Sequence, residues 1–238
     1  YVLCDAGLVV VSIDNPRKPK LVAAVRAPEL KKPRAIAIQF RYAFVVDAEG
    51  VKVLDITDLE KPRLVEDSMV RLRGANDIYV ARTYAYVAAG KKGLVIIDVE
   101  KPDSIFVDQV FAAKGKIDDA RGVKVGSTNA SLFAYLADGK NGLRVIQLTS
   151  PLSPGHLGFS PKPMPILIGT RKTHGPALAI SKGLDRDRAV DESGNQVSVF
   201  GRLGSRPFNL QEQRRFYLNE QGQVYKVSDD EWKRFVKK

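Results

Sequence analysis

The residues best suited to bind a metal, or to contact a haem carried by a partner, are the two histidines, His156 and His174. Both lie in a proline-rich stretch, and no His, Cys or Asp cluster surrounds them at the spacing of a metal site. We therefore expect two exposed loop histidines, with contact to a metal or to a partner's haem as the less favoured alternative. The sequence also lacks the Gly-x-Ser-x-Gly elbow of a serine nucleophile. It predicts no catalytic residue and no metal site; it leaves enzymatic activity open and favours a protein without one.

Acidic side chains recur at fixed places: Asp5, Asp47 and Asp138 in the second strand of a repeat, and Asp55 and Asp98 in the third. A ring of carboxylates around a cation is conceivable from this recurrence. Each of these residues, however, lies beside a hairpin, where Asp side chains commonly accept hydrogen bonds from backbone N–H groups. We therefore predict that they stabilise turns.

Charge and cysteine usage narrow the classes of partner and cofactor. Cys4 is the only cysteine, which excludes an internal disulfide, a cysteine zinc site and covalently attached c-type haem. Its place in an apolar strand predicts a buried, inert thiol. The net charge of +11 indicates acidic partners. Because the basic residues are dispersed through turns, we predict solvated charges and not a specific nucleic-acid surface. No apolar stretch approaches the roughly 20 residues of a transmembrane helix.

One phrase of aromatic, acidic, glycine and aliphatic positions recurs along the chain. Its copies occupy residues 1–13, 42–56, 84–99 and 133–148, followed by Pro16, Pro62, Pro102 and Pro151. A period of about 40–50 residues is typical of propellers and solenoids. Each copy divides into four strands: a short apolar one, an aromatic one, an aliphatic one and a more polar one. Predicted first strands are 34–38, 77–80, 122–125 and 177–180. The aromatic residues alternate at period two, which predicts packing between sheets for Tyr42, Phe44, Tyr84, Tyr86, Phe133 and Tyr135.

Four strands per period predict an all-β fold, a β-propeller of four-stranded blades with about five blades in this chain. The repeated pattern reads Tyr-Ala-Tyr-Val-Ala, then Gly-Leu-x-Val-Ile-Asp, then proline. This pattern resembles the LVIVD repeat of bacterial and archaeal β-propellers. The resemblance covers residues 1 to about 155 and departs from the pattern at Ser12 and Gln147. That family consists chiefly of surface and envelope proteins of unassigned activity. The resemblance therefore implies a place in the periplasm, at the cell surface or outside the cell.

Past the regular repeats the pattern loosens. We predict propeller repeats over 1–227, regular to 152, with an insertion at 153–176 and divergent blades at 177–227. Hairpins are expected over 188–200 and between 215–218 and 224–227, and a short helical tail is expected over 228–238. The chain opens at a second strand, so it is either a small closed propeller or the C-terminal part of a larger one. We favour the larger propeller because the start is abrupt and lacks methionine.

These observations predict a non-catalytic module for protein interaction or scaffolding in the cell envelope or extracellular space. The alternative is a propeller domain of a larger extracellular redox assembly, such as a multihaem cytochrome, with haem carried upstream or by a partner chain. The expected partner is a protein, either an acidic protein or a cytochrome, and no cofactor is expected in this chain. A hydrolase with its site in the channel is disfavoured because the first strands are mostly aliphatic. The expected contact loop is the insertion, with Pro161, Lys162, Pro163, Arg171, Lys172 and His174.

Overall fold

The computed structural model describes residues 1–127, 131–181, 189–190, 196–198, 202–203, 206–207, 209–218 and 220–223. The chain divides into two compact units, Tyr1–Ser181 and Lys182–Lys238. The first unit carries the repeats and the candidate site.

Tyr1–Ser181 contains four antiparallel sheets, each formed by strands that are consecutive in sequence. Blade 1 has three strands, β1 to β3: Val2–Cys4, Gly7–Ser12 and Lys20–Arg26. Blade 2 has four, β4 to β7: Ala35–Gln39, Tyr42–Val46, Gly50–Asp55 and Arg63–Arg71. Blade 3 has four, β8 to β11: Asp77–Ala81, Tyr84–Ala88, Leu94–Asp98 and Phe106–Phe111. Blade 4 has four, β12 to β15: Gly122–Ser127, Leu132–Ala137, Leu143–Gln147 and Ile166–Arg171. The predicted all-β blade architecture is confirmed.

The blades share a local irregularity as well as their strand order. In every blade the register between the aliphatic strand and the outermost strand shifts once, at Val10/Val11, Lys52/Leu54, Ile96/Ile97 and Val145/Ile146. A bulge of this kind bends the strand and increases its right-handed twist. The repeated phrase therefore encodes a twisted blade.

The core lies between neighbouring blades, where the predicted aromatic residues pack. Phe44 of blade 2 is buried against blade 3, and Tyr86 of blade 3 is buried against blade 4. Tyr135, the equivalent residue of blade 4, is 38% exposed. Its side of the sheet points away from blade 3, so the packing predicted for this aromatic is wrong.

The antiparallel order gives each blade two ends of different composition. The hairpins between the aromatic and the aliphatic strand of each blade lie at the same end as the connections to the next blade. We call this end the top face. It comprises residues 5–6, 27–34, 47–49, 72–76, 89–93, 112–121, 138–142 and 172–176. The opposite end is the bottom face. Its described segments are residues 13–19, 40–41, 56–62, 82–83, 99–105 and 148–165.

Three details of the first unit differ from the prediction. The segment 153–176, predicted as an insertion, contains Ile166–Arg171 (β15), which pairs with β14 as the outermost strand of blade 4. Residues 177–180 form no strand and contribute only the isolated bridge between Gly139 and Ala177. Cys4 is exposed because it ends β1, the edge strand of blade 1, so the predicted burial of its thiol is wrong.

The second unit contains two small hairpins and a helix among its described residues. Ala189–Val190 (β16) pairs with Gln196–Ser198 (β17), which confirms the hairpin predicted over 188–200. Arg202–Leu203 (β18) pairs with Arg206–Pro207 (β19). Leu210–Tyr217 forms helix α1, so the strand predicted at 215–218 is wrong. The helix starts there because Asn209 and Glu212 form a capping box. The predicted strand 224–227 and helical tail 228–238 lie outside the described residues.

Candidate functional site

Two of the side chains that directly precede the first strand of a blade are directed to the connection before the next blade. Arg34, Asn76 and Arg121 hold this position in blades 2, 3 and 4. The Arg34 guanidinium donates to the Ala75 carbonyl at 3.2 Å, and Asn76 Nδ2 donates to the Ala120 carbonyl at 2.8 Å. The two acceptors are equivalent as well, because Ala75 directly precedes Asn76 and Ala120 directly precedes Arg121. Arg121 instead donates to Asp119 of its own connection, and all three side chains line one region of the top face.

The top-face hairpins are fixed by a second repeated contact. Gly90 N–H donates to the Ala120 carbonyl at 3.0 Å, and the Ala120 N–H donates back to Gly90 at 3.0 Å. Gly139 and Ala177 exchange the same pair of bonds at 3.0 and 2.8 Å. Each hairpin tip is thus held by the backbone of a connection outside its own hairpin. The lysines that follow Gly90 and Gly139 are both exposed, and we find no ion-pair partner for either within the described part of the chain.

A cleft of about 600 Å³ opens between these elements. Its lining includes Arg34, Asn76, Lys91, Asp118, Asp119, Arg121, Lys140 and Asn141. Its volume is within the range of about 300–1,000 Å³ that is usual for ligand sites. The two carboxylates are already engaged, because Asp119 accepts from Arg121 Nε at 2.6 Å and Asp118 accepts from Asn141 Nδ2 at 2.5 Å. The uncommitted charges of the cleft are therefore positive.

A buried carboxylate positions one wall of this cleft. Asp138 is fully buried and accepts hydrogen bonds from the backbone N–H groups of Asp118 and Asp119 at 3.2 and 2.8 Å. Arg144 Nε donates to its other oxygen at 2.9 Å. Asp138 thereby ties the connection before blade 4 to the hairpin that carries Lys140. The predicted acceptance of backbone N–H groups is confirmed for Asp138, but the donors belong to the preceding connection and not to its own hairpin.

Blade 2 contains the equivalent arrangement with lysine in place of arginine. Asp47 accepts from the backbone N–H groups of Lys31, Glu49 and Gly50, and Lys52 Nζ lies 2.8 Å from its carboxylate. Burial opposes the charge of Lys52, but its hydrogen bonds to Asp47 and Glu49 outweigh that effect and raise the pKa of the ammonium. Hydrogen bonds from Lys52 and Lys31 lower the pKa of Glu49 to about 2.

Blade 3 replaces this pair of charges with the apolar residues Ala89 and Val95, which are buried. The predicted turn role also holds at Asp55 and Asp98, whose carboxylates accept from the N–H groups two residues further on. Asp47, Asp55 and Asp98 thus stabilise the turns beside them.

The fold gathers onto the top face basic residues that are dispersed in the sequence. A period of about 40 residues returns the chain to the same face in every blade. The top face carries eleven exposed cations: Lys31, Lys32, Arg34, Arg73, Lys91, Lys92, Lys114, Lys116, Arg121, Lys140 and Lys172. It carries five solvent-accessible carboxylates: Asp5, Glu29, Glu49, Asp118 and Asp119. Asp47 and Asp138 are buried and already paired. The bottom face is nearly balanced, with seven Lys and Arg against five Asp and Glu in its described segments.

The residues predicted as a contact loop do not form one surface. Lys162 lies on the bottom face and pairs with Asp108 at 3.3 Å, between the buried Pro161 and Pro163. The segment is pinned to blade 3, because Gln109 Nε2 donates to the Pro163 carbonyl at 2.8 Å. Arg171 ends the outermost strand of blade 4. It is therefore at the other end of the sheet from Lys162.

The remaining predicted site residues lie at the top of blade 4, where Lys172 and His174 are exposed. His156 is half-buried in the bottom-face connection, at the opposite end of the outermost strand from His174. The two histidines are therefore not brought together for a shared metal. Across the described residues, no group of three or more His, Cys, Asp and Glu side chains could hold a metal ion. The same residues include no helix long and apolar enough to cross a membrane.

The segments that match a known protein family coincide with the blades. The LVIVD repeat model matches residues 32–70, 73–106 and 119–158, which contain the first three strands of blades 2, 3 and 4. No match was found among curated proteins. A functionally unknown protein from Desulfotomaculum acetoxidans DSM 771 is similar in structure, with 13% identity and a TM-score of 0.57 over 82% of this chain and 62% of its own.

A second solved structure, provisionally described as a 6-phosphogluconolactonase from Bacteroides uniformis ATCC 8492, has 9% identity and a TM-score of 0.46 over 79% of this chain and 55% of its own. The second likeness is too weak to carry an argument, and the first extends to the fold alone. This chain covers less than two thirds of either solved protein. The match to the family model shows that the chain carries LVIVD repeats in three segments between residues 32 and 158, and these repeats belong to a β-propeller repeat family.

Proposed function

We propose that this protein is a non-catalytic binding module that holds an acidic protein partner against its top face, outside the cytoplasm. The single observation that carries the proposal is the excess of exposed cations on that face, eleven against five accessible carboxylates. A surface of one dominant sign attracts a partner of the opposite sign and raises the association rate by roughly 10- to 1,000-fold. The extracytoplasmic location rests on the resemblance in sequence.

The composition of the top face favours a protein over a nucleic acid. Proteins that bind single strands combine a basic groove with aromatic side chains on which bases stack. The top-face segments contain no Phe, Tyr or Trp. The exposed Phe40 and Phe159 belong to the bottom face, and Tyr135 belongs to the middle strands of blade 4. A partner that supplies Asp and Glu side chains fits this distribution better.

The chemistry of the cleft supports a binding role over a catalytic one. Its lining contains no Ser, Cys or His that would act as nucleophile or base. Its two carboxylates, Asp118 and Asp119, are held by Asn141 and Arg121. A general base needs a free acceptor within hydrogen-bond reach of the proton that it removes. One oxygen of each carboxylate is already held, and the lining offers no nucleophile for either residue to activate.

The proposal is tested by site-specific photocrosslinking in the cells that produce the protein. A benzophenone amino acid replaces Lys92 on the top face in one variant and Lys101 on the bottom face in a matched variant. We expect an adduct with an acidic protein from position 92 only, and we expect its yield to fall when Lys32→Gln and Arg73→Gln are added. Lys18→Gln with Lys61→Gln, the same charge change on the bottom face, should leave the yield unchanged.

The opposite distribution would overturn the proposal. An adduct from position 101 alone, no adduct at all, or an adduct from position 92 whose partner carries no excess of acidic residues would each contradict it.

A further inference from the structure

We infer that the cleft on the top face binds a short acidic peptide segment. Carboxylates of the peptide pair with Lys91 and Lys140, and its backbone N–H groups donate to Oδ1 of Asn76 and Asn141. The inference deepens the proposed function, because it rests on the partner being an acidic protein. It adds a specific anchor within a face that would otherwise attract any anion.

The shape of the cleft is the first step. A volume of about 600 Å³ is that of a site for a small ligand or a few residues, whereas a flat charged face needs no cavity. Its walls are preorganised: the tip of the Lys91 hairpin and the tip of the Lys140 hairpin are each fixed by two backbone hydrogen bonds to a connection outside the hairpin. A site that is already ordered loses less conformational entropy when a ligand binds.

The two lysines are the second step. They occupy equivalent places in consecutive blades, directly after Gly90 and Gly139, so blade geometry alone puts two ammonium groups at the edge of one cleft. Both side chains are exposed, and within the described residues neither forms an ion pair. They can therefore bind a carboxylate without first breaking an existing pair.

The amide side chains are the third step, and they favour a peptide over a simple anion. Asn76 Nδ2 is committed to the Ala120 carbonyl and Asn141 Nδ2 to Asp118, which leaves each Oδ1 as a hydrogen-bond acceptor. A peptide supplies several backbone N–H donors for these oxygens, whereas hydrogen phosphate and citrate each supply one hydroxyl donor and are otherwise acceptors. The donor and acceptor pattern thus matches an acidic peptide.

The test measures binding of synthetic peptides to the full chain by fluorescence anisotropy. The probe is a dye-labelled peptide of sequence Gly-Asp-Glu-Asp-Gly, and the uncharged comparison is Gly-Asn-Gln-Asn-Gly. Unlabelled citrate and inorganic phosphate serve as competitors. The cleft variant is Lys91→Gln with Lys140→Gln, and its control is Lys92→Gln with Lys172→Gln, which removes the same charge from the same face outside the cleft.

We expect the acidic peptide to bind the native protein and the uncharged one not to bind. The cleft variant should weaken binding by about tenfold or more, and the control by about threefold or less, because direct charge pairs contribute more than distant ones. Equal weakening by both variants, or displacement by citrate or phosphate at the same concentration as by unlabelled peptide, would overturn the inference.

The failures of the two proposals are distinguishable. If crosslinking finds an acidic protein on the top face but the peptide does not bind, the anchor in the cleft is wrong and the proposed function stands. If the peptide binds in the cleft but position 92 yields no acidic partner, the proposed function is wrong.

Discussion

Removing the buried ammonium of Lys52 should destabilise the protein more than removing any exposed lysine. Only 6% of the Lys52 side chain is exposed, and the side chain of its partner Asp47 is fully buried. The distance from Lys52 Nζ to Asp47 Oδ2 is 2.8 Å. In Lys52→Met the Asp47 carboxylate remains in the interior without its cation, which typically costs about 3–5 kcal/mol. Lys31→Met is the matched control. Its side chain is 49% exposed, and its pair with Glu49 is a surface pair that contributes about 1 kcal/mol or less.

A second substitution tests the cause of this loss. Asp47→Asn removes the buried charge and keeps an oxygen that accepts the N–H groups of Glu49 and Gly50. It loses the bond from the Lys31 N–H, at a cost of about 1 kcal/mol. We therefore expect Lys52→Met with Asp47→Asn to be more stable than Lys52→Met alone, with a coupling energy of about 2 kcal/mol.

The assay is urea unfolding of the full chain followed by far-ultraviolet circular dichroism, which reports the loss of β-sheet. The free energies of the two single variants and the double variant form a double-mutant cycle with the native protein. If the effects of the two substitutions simply add, the electrostatic reasoning fails, and Lys52 stabilises the blade only by filling space.

Three further outcomes are expected. Gly142→Ala should destabilise the fold by about 2–4 kcal/mol, since φ is +82° and an added Cβ would lie 2.2 Å from a carbonyl oxygen of the outermost strand. Gly74→Ala, at φ +85° with no atom within 4 Å, should cost only about 1 kcal/mol in the same urea assay. The pKa of Glu49, measured by NMR, should be about 2 and rise toward 4.5 in Lys52→Met. Because this pKa is depressed on folding, the stability that it contributes is complete above pH 4.5 and is lost as pH falls through about 2. An unchanged Glu49 pKa in Lys52→Met would contradict the assigned hydrogen bonds. Cys4 should react with a maleimide in the native protein as readily as a free thiol, measured as one adduct by mass spectrometry; protection until unfolding would show that it is buried.

The regular blades were predictable because their signals are local and repeated. Alternating aromatics, aliphatic runs and hairpin glycines recur in each copy, so one copy supports the interpretation of the next. The strand at Ile166–Arg171 was missed because it lies among prolines, away from the spacing of the phrase. The helix at Leu210–Tyr217 was missed because its aromatic residues indicate strand, although Asn209 followed by Glu212 is a start signal for a helix.

The cleft could be predicted only in part. An alignment of the copies puts Arg34, Asn76 and Arg121 at one position, and Lys91 and Lys140 at another. What the sequence does not contain is the set of contacts, such as Asn76 Nδ2 to the Ala120 carbonyl, that brings loops of different blades together around one cleft. Dispersed basic residues were interpreted as solvated turns for that reason, and the excess of cations on the top face becomes visible only when the strands are paired.

The alternation of buried charge in the middle blades also bears on misfolding. Neighbouring repeats of similar sequence are prone to exchange strands during folding, because one repeat can complete another's sheet. Blades 2 and 4 bury an ion pair at the place where blade 3 buries Ala89 and Val95. A strand that joined the neighbouring blade would bury one charge without its counterpart, at a cost of about 3–5 kcal/mol. Adjacent repeats thus carry incompatible interiors, which favours assembly of each blade from its own strands.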